Sequence, residues 1–467
     1  MIYRKFIPIA MAAALAASGC SSSAATPGAA STPGGSTSAI AAPSPTANYA
    51  CGKLTVWMMQ GTLTSQNEAL FDDQFEASHP CLTVNFQEQD WDGIMPKLTT
   101  ALSTNSGPDV FEVGNTDAIT LEAASVPGSG LADLSSFRAQ LGGGTSNTSA
   151  DPNQLFLASL NDSSMYNGKL FAVPYYAGDR FLMYRADLFK KSGIDPTTLT
   201  SKAAIIAAAE KLSQDNKSVS DFSGFYLPGQ DWYSLIQMVW DEGGQIATQD
   251  SSGKWTANLE SANSEKGIQD YVDYYTMGGS TGPKNNDEDN PPEPTLFQQG
   301  KIGMMITLGW NLTAAIGKTG AVTSRDQIGI LPIPSVTAGK TVPVFLGGSD
   351  IGINAKSQNL QAAIDWASEI ASPAGQSAMI GEGWIPSLKA NAANIPDIQA
   401  NKDSGLLIEA QEAAAASDFT PNSTKWGAVE ANNPIKSMMT SILSGQMSVD
   451  AAAKQADQTI DGILNQS

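Results

Sequence analysis

From residue 53 the chain alternates short apolar runs with amphipathic stretches. KLTVWMM (53–59) is a continuous apolar run of strand length, the pattern of a strand covered on both faces. Ser65-x-x-Glu68 has the spacing of a capping box and opens a predicted helix whose apolar face is Leu70, Phe71 and Phe75. LTVNF (82–86) predicts a second strand, Ile94 to Ser103 a short helix, and Asp109 to Val113, introduced by Gly107-Pro108, a third strand. A βαβαβ run with right-handed crossovers implies an open parallel sheet with helices on both faces. Ligands of such sheets bind beyond the carboxyl ends of the strands, so Gln60, Asp90, Trp91, Asn115 and Thr116 lie where a site is expected.

The second half is richer in helical patterns. Ser201 to Leu212 is Ala-rich and reads as a surface helix, and Asp231 to Asp241 gathers Trp232, Tyr233 and Trp240 before Gly243-Gly244. Lys301 to Leu308 is a predicted buried strand running into Gly309-Trp310-Asn311, Ile328 to Leu331 is another, and Val344 to Ile353 is extended but broken by two glycines. Asn359 to Ala371 places Leu360, Ala363, Ile364, Ala367 and Ile370 on one face, and Ser448 opens a last helix with Val449, Ala452, Ala456, Ile460 and Ile463 inward. Residues 284–294, KNNDEDNPPEP, lack the spacing of a calcium loop and read as a solvated acidic turn.

The N-terminus bears on compartment. Arg4 and Lys5 precede an apolar stretch from Phe6 to Ala17, too short to span a bilayer, and then Ser18-Gly19-Cys20. Small residues before a cysteine resemble the lipobox of bacterial lipoproteins, with Ala17 where that pattern favours Leu. Residues 1–19 are therefore expected to be a signal peptide and Cys20 the lipidated residue, placing the chain outside the cytoplasm on the outer face of the cell membrane. Residues 21–49 are nearly all Ser, Ala, Thr, Pro and Gly, without charge, so residues 20–50 read as a lipidated cysteine and a disordered tether. Of the 3 cysteines, acylation of Cys20 leaves Cys51 and Cys81. Each precedes a predicted strand, and adjacent parallel strands starting side by side bring the pair within disulfide reach.

A formal net charge of −20 argues against nucleic acid and against an anionic membrane surface as ligand. His79 is the only histidine, which removes His-based triads and most zinc sites, and no metal or cofactor is expected. SSGK (251–254), SAN (261–263) and KTG (318–320) follow the order of the penicillin-interacting serine signature, but the serine lies in a Gly-containing turn and not at the start of a buried helix. Two GKT triplets, at 317–319 and 339–341, have Leu312 and Pro334 where a phosphate-cradling loop needs glycine. No catalytic set emerges, and neither repeats nor the many short strands of an adhesion scaffold are present.

Several segments together resemble one family, the extracellular solute-binding proteins of ABC importers, in the branch that contains maltose-binding protein. They are LTVWMM, GPDVFEVGN (107–115), PYYAGDRFLMYRADLFKKSGI (174–194), KIGMMITLGWNL (301–312), VPVFLGGSDIGINAKSQN (342–359) and the stretch from Pro421 to Leu464. GNTD (114–117) and GDRF (178–181) are similar to actinobacterial binding proteins for chito- or other oligosaccharides. The resemblance implies the α/β periplasmic-binding-protein fold: two discontinuous lobes, a hinge of three crossings and a ligand cleft between the lobes. The crossings fall near Tyr176–Asp179, near Gly347–Ser349 and around 410–418, giving lobe 1 as 51–177 plus 348–417 and lobe 2 as 178–347 plus 418–467. It implies a monomer that binds a sugar, catalyses nothing itself, and passes the sugar to ABC permease subunits while tethered by its lipid.

A sugar offers apolar C–H faces and a rim of hydroxyls, so its site needs flat aromatic surfaces and fixed polar groups. Asn115, Thr116, Tyr233 and Trp310 fall on stretches whose counterparts line the family's cleft, and Gln60, Asp179, Trp232 and Ser349 are their neighbours at strand ends and crossings. Asp179-Arg180 reads equally as a surface ion pair. Trp57 and Trp240 read as core, Trp366 as helix packing, and Trp384 and Trp426 either stack on ligand or plug the lobes. The competing readings are an exported carbohydrate-active enzyme and a receptor for a non-sugar solute.

Overall fold

A computed structural model of the chain describes residues 49–91, 93–104, 106–124, 130–142, 155–178, 180–277, 282, 284–285, 293–382, 384–389, 417–418 and 420–466. The signal segment, Cys20, most of the tether and most of the acidic turn at 284–294 lie outside the described residues. The strands used below are β1 (Gly52–Met59), β2 (Leu82–Gln89), β3 (Val110–Gly114), β4 (Ala172–Gly178), β5 (Arg180–Arg185), β6 (Met304–Leu308), β7 (Ile328–Leu331), β8 (Val344–Phe345), β9 (Gly347–Ile353), β10 (Ile385–Pro386) and β11 (Ser417–Asp418). The helices are α1 (Ser65–Ser78), α2 (Ile94–Ser103), α3 (Lys202–Asp215), α4 (Trp232–Asp241), α5 (Leu360–Ala371), α6 (Trp426–Asn432) and α7 (Val449–Leu464).

The first lobe is built on a six-stranded sheet in the order β10-β4-β9-β3-β1-β2. β1 runs parallel to β2 and β3, as the βαβαβ pattern predicts, with Gly52 opposite Leu82 and Met59 opposite Gln89. Cys51 and Cys81, just before these two strands, are disulfide-bonded with Cα atoms 4.9 Å apart. The sheet as a whole is mixed and not parallel: β9 is antiparallel to β3 and β4, and β10 to β4. These added strands come from distant segments that no local periodicity links to β1–β3. The register slips between Ser349 and Asp350, opposite Tyr176 and Pro174. Pro174 has no N–H to donate, so an unbroken ladder cannot form there.

The second lobe holds a three-stranded antiparallel sheet in the order β6-β5-β7. The lobes have separate cores. Leu54, Val56, Phe71, Phe75, Tyr175, Ile351 and Trp366 fill one; Leu182, Trp232, Tyr271, Met304, Phe345, Trp426 and Ile460 fill the other.

Several local details differ from the pattern. Thr64, not Ser65, caps α1 by accepting from the Asn67 N–H at 3.4 Å, because the chain enters the helix one residue earlier. Leu70 is 43% exposed, and Phe71 and Phe75 carry that helix's burial. Leu360, the first residue of α5, is 36% exposed, so that stripe begins a turn later. α3, capped by Ser201, buries Ile205, Ala208, Ala209 and Leu212 and is half core helix. Val344–Ile353 divides in two, with β8 pairing parallel to β11 and β9 joining the large sheet. Glu293-Pro294 begin a helix (Glu293–Gln298) where the sequence reads as a turn.

Candidate functional site

A cleft of about 480 Å³ is lined from both cores. Gln60, Gly61, Thr62, Trp91, the 114–117 segment, Tyr176 and Trp384 come from the first lobe's elements; Arg180, Tyr233, Leu308, Phe345 and Glu430 come from the second lobe's. The β1 and β3 C-termini open into it, as the strand-end rule expects.

Its aromatic surfaces are fixed by packing. Trp384 lies against Tyr176 with ring centroids 4.1 Å apart. Tyr233, in the first turn of α4, is held between neighbours: its ring is 4.2 Å from Trp232 and 4.9 Å from Phe345, and the Arg180 guanidinium stands over it at 4.8 Å. Arg180 is in turn anchored by Asp231, the α4 N-cap, at 3.3 Å, with both side chains buried. Trp91 is 45% exposed at the mouth, and its indole N–H donates to the Gln60 carbonyl at 3.2 Å.

The polar groups are fixed too. Asn115 Nδ2 donates to the Leu346 carbonyl at 3.2 Å, and its backbone N–H donates to Gly348 at 3.0 Å. Gly348 is required by close approach, since a Cβ there would collide with the Tyr176 carbonyl. Glu112 is fully buried behind the cleft; burial pushes its carboxyl up to about 7, against hydrogen bonds from Thr62 Oγ1 at 2.6 Å, the Met59 N–H at 2.9 Å and Tyr176 Oη at 3.3 Å. Thr116 Oγ1 donates to Glu430 at 2.9 Å, and the Trp426 indole donates to the other oxygen at 2.8 Å. Burial raises the carboxyls of Asp117 and Glu430, and repulsion from Asp117 raises Glu430 further. Among the described residues no group of His, Cys, Asp and Glu side chains could hold a metal ion.

Of the residues singled out in the sequence, Gln60, Asn115, Thr116 and Tyr233 line the cleft together. Trp232 does not: it is buried beneath Tyr233, against Phe345 and Trp426. Ser349 is likewise behind the wall, fully buried and donating to Tyr176 Oη at 3.1 Å. Asp179 lies outside the described residues; Trp310 is in the helix Gly309–Ala314, its side chain outside them. Trp57 is half-buried, donating to Gln87 at 3.0 Å, while Trp240 and Trp366 are core. The residues that the sequence reading missed are Asp117, Tyr176, Phe345 and Glu430. All four lie within the segments that carry the family resemblance, but a lone acid or a strand aromatic carries no local mark of facing a ligand.

The chain matches the family model described as bacterial extracellular solute-binding protein over residues 71–405. It is 32% identical over 409 residues, 86% of this chain and 88% of that protein, to the diacetylchitobiose binding protein DasA of Streptomyces coelicolor. Among solved structures, the GacH receptor of Streptomyces glaucescens, solved unliganded and with acarbose, aligns at a TM-score of 0.71 and 21% identity, over 89% of this chain and 99% of that one. The sugar-binding protein MalE from Xanthomonas citri aligns at 0.70 and 19% identity, over 88% and 97%. These two likenesses establish the two-lobe fold, and the sequence matches establish kinship: the chain belongs to the bacterial extracellular solute-binding proteins.

Proposed function

We propose that the chain is the extracellular receptor of an ABC importer and captures a sugar, a di- or oligosaccharide, in the cleft between its lobes for delivery to membrane permease subunits. The observation that carries this reading is the pairing of aromatic faces with fixed polar groups on both walls. Tyr233 and Trp384 offer surfaces for C–H stacking, and Gln60, Asn115, Thr116, Asp117 and Glu430 offer hydrogen-bonding partners for hydroxyls. The name of the Streptomyces coelicolor relative puts amino-sugar disaccharides first among candidates. On this reading the lobes are 51–177 plus 348–417 and 178–347 plus 418–467, the protein works as a monomer, and Cys20 carries the lipid that holds it at the membrane. It performs no chemistry on its ligand.

A thermal-shift screen over mono- and oligosaccharides tests this. A ligand at about 100 times its Kd stabilises the folded form by about 2.7 kcal/mol, a readily measured rise in Tm. Silence across the panel, or cleavage of a saccharide during incubation, contradicts the proposal.

A further inference from the structure

Two carboxylates line the cleft from opposite lobes. Asp117 follows β3, and Glu430 lies on α6, whose Trp426 and Val429 belong to the second core. Glu430 receives hydrogen bonds from Thr116 and Trp426, whereas the Asp117 carboxylate has no donor among the described residues. Nor does any basic side chain there act on either group. Arg180, which lines the same cleft, is committed to Asp231. Two half-buried carboxylates that line one cleft and repel each other are destabilised when both are charged, unless a cation compensates. A neutral hydroxyl supplies a hydrogen bond but no charge, so an uncharged ligand leaves a proton to be held by the pair. A cation supplies both.

Resting on the reading of the cleft as a saccharide site, we propose that its ligand carries a free amino group, an unacylated amino sugar whose ammonium is received between Asp117 and Glu430. The empty pair holds a proton, in keeping with the burial that raises both carboxyls and the repulsion from Asp117 that raises Glu430 further. On binding, the ammonium takes the place of that proton, which leaves to solvent; no bond is made or broken in the sugar. Glu430, oriented by Thr116 and Trp426, acts as the fixed acceptor, and Asp117 as the group that selects for charge.

The test is calorimetry at about pH 6, where an amino-sugar amine is protonated, with the chitobiose disaccharide bearing free amines and with diacetylchitobiose. The wild-type protein is expected to bind the free-amine form at least about tenfold more tightly. It should also release about one proton on doing so, read from binding heats in buffers of different ionisation enthalpy. Asp117→Asn and Glu430→Gln should each shrink the preference between the two sugars; the wild-type proton count does not depend on those variants folding. Preference for diacetylchitobiose or another uncharged sugar, without proton release, overturns the amine proposal and leaves the saccharide receptor standing. Failure of every sugar to bind removes both.

Discussion

Asp350 sits in β9 with neither carboxylate oxygen hydrogen-bonded among the described residues, and its side chain is fully buried. Burial alone raises its carboxyl well above the ordinary 3.8, so the folded protein holds a proton there that the unfolded chain releases. Its stabilising effect is therefore complete below pH 3.8 and is lost as pH rises toward the folded value. Glu112 adds to the same slope between 4.5 and about 7. Asp350→Asn removes the ionisable group while keeping its shape. We expect it to raise stability at pH 7, by about 1.4 kcal/mol for each pH unit above 3.8 over which the folded carboxyl stays protonated, because only the unfolded wild-type chain gains from ionising there. Urea denaturation at pH 5 and pH 7 should show the wild type losing stability with pH more steeply than the variant; equal slopes would contradict this. Neither residue could be recognised from sequence. Each lies in a strand that patterning identifies, but an acid in an apolar run gives no sign of whether it faces solvent, a partner or nothing.

The strand and helix elements were more legible than their arrangement. The paired starts of β1 and β2 followed from two apolar runs each preceded by a cysteine, and the bridge closes a loop with a sequence separation of 30. Loop-closure entropy assigns such a link about 3–4 kcal/mol. Replacing Cys51 and Cys81 together by serine should lower the urea midpoint accordingly, and reductant should bring the wild type to the same midpoint. A midpoint unchanged by either treatment would show that parallel pairing and the Leu54–Leu82 side of the core already hold these strands. Helix starts are legible to within a residue, Thr64 for Ser65 being a choice between two adjacent cap-competent side chains, whereas the helix expected to end at Leu212 runs on to Asp215. The mixed order of the large sheet was not readable, because β9 and β10 reach it from far along the chain.

At the scale of the molecule, the cleft joins segments remote in sequence, and this decided which lining residues could be foreseen. Gln60, Asn115 and Thr116 follow β-strand ends, where topology alone points to a site. Phe345 and Glu430 enter only through the packing of the second core against the chain's return, which no single segment announces. From the sequence Trp384 reads either as stacking on ligand or as plugging the lobes, and it lines the cleft, packed against Tyr176. If one ligand is held by both walls together, hydrogen–deuterium exchange with a saturating saccharide shows it directly. Slowed exchange is predicted in peptides covering 59–63 and 113–117 of the first lobe and, in the same experiment, 231–235 and 426–432 of the second. Protection confined to one lobe, or falling elsewhere on the protein, would contradict it.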